Sequence, residues 1–201
     1  MENLSKILGQ ILLYISTYPV TLFNILLFPS KVLGKQKISS VCPPSNALII
    51  SYLLIGVVWP YSNYDRIEII VFSFIAMAFI VGIQWALTSR IFRLQNDGTS
   101  SFNHMQLLFY PYSWFLLISA ISFPFTKAAY QQVPIISTFY LLSFFTNIFI
   151  YSWAMFNVFR IGFDVSFLKS ILAAIICLVV FFVLAFLIMM LINSGVLFQR
   201  V

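Results

Sequence analysis

Residues 171–192 read ILAAIICLVVFFVLAFLIMMLI, with no polar side chain except Cys177. A bilayer core is about 30 Å thick and a helix needs about 20 apolar residues to cross it. A helix that is apolar all round faces lipid over much of its circumference. This stretch decides the class of the chain, and four more apolar runs stand upstream of it. They fall at about 47–60, 67–89, 105–126 and 132–159, with the last at 170–194.

The segments between the runs hold nearly every charge, and unevenly. Lys6, Lys31, Lys35, Lys37, Arg90, Arg93, Arg160 and Lys169 fall in one set of connections, and only Arg66, Lys127 and Arg200 in the other. That asymmetry is what a chain threaded back and forth through a membrane shows, with its basic loops in the cytoplasm. The expectation is an N-terminus in the cytoplasm and a C-terminus in the periplasm of a bacterial inner membrane.

Composition agrees. The 201 residues are 62% hydrophobic and 8% charged, against about 25% charged in a soluble domain. One membrane-embedded domain over 1–201 is expected. An amphipathic, basic segment (1–45) precedes a five-span bundle (47–194). The net charge of +6 is accounted for by topology and anionic headgroups, each surface Lys or Arg being worth about 1 kcal/mol there. A basic face interleaved with aromatics on a folded domain, the footprint of nucleic-acid binding, is not read.

Residues 6–30 admit three readings. Ile7, Leu8, Ile11, Leu12 and Ile15 recur at helical spacing, and Pro19 interrupts before a second apolar stretch. An interfacial amphipathic helix followed by a short second one fits best. A broken, re-entrant pair buried in protein is the next. A sixth span is the third, and it would reduce the basic asymmetry to seven against four.

Other expectations are local. Pro43-Pro44 stops a helix, with Ser45 or Asn46 capping the next. Trp59 and Tyr61 fit an interfacial aromatic belt. Ala78 and Gly82, four apart, would let another helix approach. Pro111 should kink the third span, and Phe123-Pro124-Phe125 should end it.

Chemistry-bearing groups are few. The single histidine, His104, opens the third span at the basic interface, where a headgroup or backbone partner suits it better than catalysis. The acids Glu2, Asp65, Glu68, Asp97 and Asp164 all lie away from mid-bilayer. Proton- and ion-coupled carriers place such residues within a span, which argues against a proton-driven pump. Neither Cys42 nor Cys177 has a partner at metal-ligand or disulfide spacing; Cys42 is a juxtamembrane candidate for palmitoylation or simply an unreactive small residue. No cofactor, metal site or enzyme activity is expected.

Two surfaces remain. In the fourth span Tyr140, Ser143, Asn147 and Tyr151 share one helix face, with Gln84 or Ser113 expected opposite. The stripe reads as interhelical glue or, more sharply, as a pore lining. The second surface is the basic edge of Lys31, Lys35, Lys37, Arg90, Arg93, Arg160 and Lys169, suited to lipid or to an acidic soluble partner.

The second half resembles the Yip-domain family of small five-span membrane proteins. Its carriers are Gly98-Thr99-Ser100-Ser101-Phe102, the pair Tyr112-Ser113, and Arg160-Ile161-Gly162-Phe163 running through Ser166 to Lys169. The likeness covers about residues 67–194. One departure is that Pro111 precedes the Tyr-Ser pair, where the family usually has a proline after it. The resemblance implies five spans, oligomerisation and no catalysis, and it transfers no active-site residue. Eukaryotic members are linked to Rab proteins and Golgi traffic. They carry an acidic cytoplasmic domain that is not read here, so a bacterial protein is expected.

The leading expectation is thus an all-α, polytopic helical membrane protein that acts as a non-enzymatic scaffold or sensor. It would form a homo-oligomer and recruit a soluble cytoplasmic partner. By architecture alone it is analogous to the membrane subunit of a Kiwa-type anti-phage defence pair or a toxin-immunity pair. A channel or permease-like subunit using the Asn147 stripe is the alternative.

Overall fold

The computed structural model describes residues 2–34, 42–58, 65–94, 101–130 and 134–193. Among these the chain is helical, with no strand. Helix α1 spans Glu2–Leu27, α2 Pro29–Leu33, α3 Pro44–Val58, α4 Asp65–Phe92, α5 Ser101–Gln106, α6 Phe109–Tyr130, α7 Pro134–Asn157 and α8 Phe167–Asn193. A π-helical turn, Val158–Gly162, extends α7.

Five of the described helices are long and apolar enough to cross a bilayer: Ser5–Leu27, Val71–Phe92, His104–Ser122, Leu141–Gly162 and Phe167–Ile188. This is an integral membrane protein of the helical class. The number matches the expectation, but the membership differs. Residues 5–27 qualify, whereas the helix over the first expected span is 15 residues long among the described residues. Trp59 and Tyr61 lie outside those residues.

Side-chain hydrogen bonds set the helix directions. Thr21 Oγ1 accepts from the Cys42 N–H (3.0 Å) and Tyr18 meets Ser51 (2.7 Å), so α1 and α3 run antiparallel. The Tyr110 hydroxyl donates to Cys42 O and the Ser51 hydroxyl to Ser113 O, which makes α6 parallel to α3. Asn147 Nδ2 donates to Phe115 O while Tyr151 packs on Tyr112, so α7 opposes α6. Gln84 reaches Cys177 O and Trp85 packs on Phe163, so α4 opposes α8. The ends carrying Lys31, Arg90, Arg93, Arg160 and Lys169 therefore coincide. Lys6 stands at the other end of α1, roughly 30 Å away at about 1.5 Å per residue.

Pro19 does not break α1. The hydroxyls of Ser16 and Thr17, in the turn ahead of it, fold back on Leu13 O at 2.9 and 2.7 Å. These bonds are local to the helix and do not reach Ile15 O, the carbonyl that would have accepted from the missing Pro19 N–H. The face that docks is also different from the one expected. Tyr18, Thr21, Leu22 and Ile25 are buried, at i, i+3, i+4 and i+7. The stripe of Ile7, Leu8, Ile11, Leu12 and Ile15 is exposed, open to lipid.

Proline placement corrects three local expectations. Pro44 starts α3 and does not lie before it; at a first helical position its missing N–H has no partner to lose. The third span is divided, α5 ending at Gln106 and α6 beginning at Phe109, which leaves Pro111 in a first turn where no kink is needed. Helix α6 then continues through Pro124 to Tyr130, preceded by Ser119 and Ser122 hydroxyls bonded one turn back.

Lipid tails are as apolar as leucine, so packing and interhelical hydrogen bonds hold such a bundle together. The centre is an aromatic cluster of Tyr112, Phe115, Tyr151 and Phe181, with centroids 4.9–6.2 Å apart. The expected close approach at Ala78 and Gly82 is not made within the chain. Ala78 is exposed, and a Cβ at Gly82 would meet nothing within 4 Å.

Candidate functional site at the basic end

Two loops at the basic end turn back through left-handed residues. Arg93 has φ 50° where α4 ends, and Asp164 has φ 53° after the π-helical turn. Aspartate tolerates this region, whereas arginine does so at a cost of about 1–2 kcal/mol. Phe163 N–H bonds back to Val158 O and Val165 N–H to Phe159 O, both at 3.1 Å, which fixes the second loop.

Between the loops lies a cleft of about 320 Å³, lined by Phe92, Arg93, Leu94, Phe163, Asp164, Val165, Ser166 and Lys169. It opens at the N-terminus of α8, whose first turn carries Lys169 and no acid. The positive end of the helix dipole adds to Arg93 and Lys169, and Asp164 offsets them in part. Asp164 forms no ion pair with Arg93 or Lys169. The cleft is electropositive and polar, able to take a carboxylate or a phosphate oxygen.

Beside it, His104 stacks on Trp85 at 6.2 Å with rings 9° from parallel and packs on Phe163 at 5.9 Å. The imidazole is built into an aromatic floor.

The seven basic residues are only partly gathered. Arg93 and Lys169 share the cleft, and Arg90 lies on the last turn of α4. Arg160 donates from Nη1 to Val165 O at 3.0 Å. Lys31 stands apart on α2, its Nζ 4.6 Å above the Phe28 ring. Lys35 and Lys37 lie outside the described residues. Sequence reasoning did not assign Asp164 or Ser166 to this site. Asp164, a lone acid in a basic connection, was the available signal.

The intramembrane stripe is brought together in part. Gln84 Nε2 donates to Tyr151 Oη (3.2 Å) and to Cys177 O (2.7 Å), as the placement of Gln84 opposite the stripe anticipates. One turn earlier, Asn147 donates to Phe115 O and Ser119 Oγ at 3.2 and 3.1 Å. Ser143 is half-buried, and the side chain of Tyr140 lies outside the described residues. Ser113 bonds to Phe109 O and not across to the stripe. Gln84 Oε1, Asn147 Oδ1 and the Tyr112 hydroxyl are buried without a hydrogen-bond partner among the described residues.

Cys42 and Cys177 are free thiols, each fully buried. Burial pushes the Cys42 thiol up to about 11, which fits the unreactive reading and removes it from the reach of an acyl donor. Compared with known proteins, the chain matches no family model, no curated protein and no solved structure.

Proposed function

We propose that this protein is a non-enzymatic membrane scaffold or sensor subunit that recruits a soluble, acidic cytoplasmic partner through its basic end. The observation that carries the reading is the coincidence of Lys31, Arg90, Arg93, Arg160 and Lys169 at one end of the bundle, where Arg93 and Lys169 line an electropositive cleft. The positive-inside rule puts that end in the cytoplasm of a bacterial inner membrane, with the C-terminus in the periplasm. Helix α1, antiparallel to α3, then carries Glu2 to the periplasmic side if it crosses, in place of the cytoplasmic N-terminus expected from the sequence. Self-association into a homo-oligomer completes the proposal. The aromatic packing around Tyr151 supports interhelical glue over a pore within one chain.

The test is recovery of a soluble partner on the detergent-solubilised protein, with its identity read by mass spectrometry. The triple variant Arg90→Glu, Arg93→Glu, Lys169→Glu should lose that partner, and rising salt should release it, because exposed charges are screened over about 8 Å at physiological ionic strength. Equal recovery by the triple variant sinks the proposal. Ion flux from the purified protein alone in liposomes would favour a channel.

A further inference from the structure

The lipid-facing side of α7 and α8 carries a groove of about 240 Å³, on the face of α8 opposite Lys169. Its wall from α7 is Phe149, Ser152, Trp153 and Phe156, and Ala174 forms the low point on α8. Exposed Phe149, Trp153, Phe167 and Ile175 make it apolar and open to the membrane. Towards the basic end, Phe156 and Phe167 close it with an edge-to-face pair at 5.4 Å. Beyond that pair stands Arg160. It follows Phe156 by one turn, and its Nη1 is tied to Val165 O, two residues before Phe167. Trp153, two turns before Arg160, bonds from Nε1 to Leu26 O in the last turn of α1 at 3.0 Å, near the basic end. Tryptophan at that level is typical of a membrane interface.

Arg160 does not line the groove itself but lies one turn past Phe156 towards the basic end, and an apolar, lipid-facing groove with a cation one turn beyond its end matches one class of molecule. We infer that the groove between α7 and α8 binds an anionic phospholipid, with one acyl chain along Ala174 and the phosphate on the Arg160 guanidinium. Charge complementarity selects the headgroup. Asp164 is the one acid of the 158–169 connection, and it lines the cleft on the other side of α8. A guanidinium donates in a planar fork that suits phosphate oxygens, and one of its N–H groups is already committed to Val165 O, which holds the fork in place. The inference requires only that the helices span a membrane and is independent of partner recruitment.

The test is native mass spectrometry of the full chain released from neutral detergent. It would be titrated with phosphatidylglycerol, with phosphatidylcholine of the same chains, and with glycerol 3-phosphate. One phosphatidylglycerol should bind, about tenfold tighter than phosphatidylcholine, as expected for one charge-assisted contact. Arg160→Gln should remove that preference, and Ala174→Leu, which fills the groove, should weaken both lipids by about tenfold. Lys6→Gln, a loss of charge at the other end of the bundle, should leave binding within about twofold. Circular dichroism melts checks that the variants are folded, and Arg160→Gln with a wild-type melt decides the matter if Ala174→Leu does not fold. Equal affinity for the two lipids, wild-type binding by Arg160→Gln, or an equal loss in Lys6→Gln overturns the inference. So does glycerol 3-phosphate binding as tightly as the lipid. A dimer that Ala174→Leu dissociates, with lipid binding unchanged, would assign the groove to a second copy.

Discussion

The docking of α1 turns on one carbonyl. In a continuous helix Ile25 O would accept from the amide four residues on, but that residue is Pro29, which has no N–H. Phe28 N–H is already bonded to Asn24 O at 2.8 Å. Asn157 at the end of α7 supplies the missing donor, Nδ2 to Ile25 O at 2.9 Å, and its side chain is 4% exposed. Replacing Asn157 by Leu keeps the volume and leaves a buried orphan acceptor, at a cost of about 1–3 kcal/mol. Tyr52→Phe is the contrast. It removes a bond to Ser73 O, a carbonyl inside α4 that its own helix also uses, so its cost should be near the membrane average of about 0.6 kcal/mol. Reversible unfolding from mild detergent into dodecyl sulfate measures both. Hydrogen exchange over residues 18–27 should rise in Asn157→Leu and not in Tyr52→Phe. Pro29→Ala restores a backbone donor, so the cost of Asn157→Leu should shrink by about 1 kcal/mol on that background. Equal costs for the two single variants, or no coupling with Pro29→Ala, would refute the reasoning.

Gln84→Leu removes two interhelical bonds, about 1.2 kcal/mol together at the membrane average. It also removes the Oε1 that has no partner among the described residues, so the same unfolding assay should place it within about 1 kcal/mol of wild type; a loss above about 3 kcal/mol would contradict these magnitudes. Cys42 should resist alkylation. With its thiol raised from 9.0 to about 11, its thiolate fraction at pH 8 falls about a hundredfold, since the thiolate is the reactive form. In a Cys177→Ala background, maleimide should label the folded chain at least that much more slowly than the denatured one, and equal rates would refute the burial of Cys42. The sign for stability follows. The folded state holds the thiol proton more tightly, so the Cys42 contribution is intact below pH 9 and is lost as pH rises towards 11.

How far the fold was legible differs from one element to the next. Residues 171–192 need no partner to be read, because an uninterrupted apolar run has one low-energy fate in a bilayer. The basic connections were legible for the same local reason, a charge being costly at mid-membrane. Residues 6–30 were not. Pro19 looks like a break in any local reading, yet α1 runs through it. What docks its far end is Asn157, more than 130 residues away in sequence. The cleft was half legible. Arg93 and Lys169 were candidates, but their shared space depends on two left-handed turns, at Arg93 and Asp164, that bring α4 and α8 together.

The sequence by itself determined that this is a helical membrane protein built on long apolar helices, and that its basic residues fall mostly in alternate connections. Each of these follows from the transfer of single side chains between water and hydrocarbon, which is additive along the chain. Tertiary structure decided which five helices those are, and that Lys6 lies at the opposite end from the other described cations of the basic set. It also decided that Gln84 meets Tyr151, that Asn157 finishes α1, and that Arg160 is tied to Val165 O. Those depend on which helix faces meet, and in a membrane the faces are selected by close packing and a handful of hydrogen bonds between residues far apart in the chain.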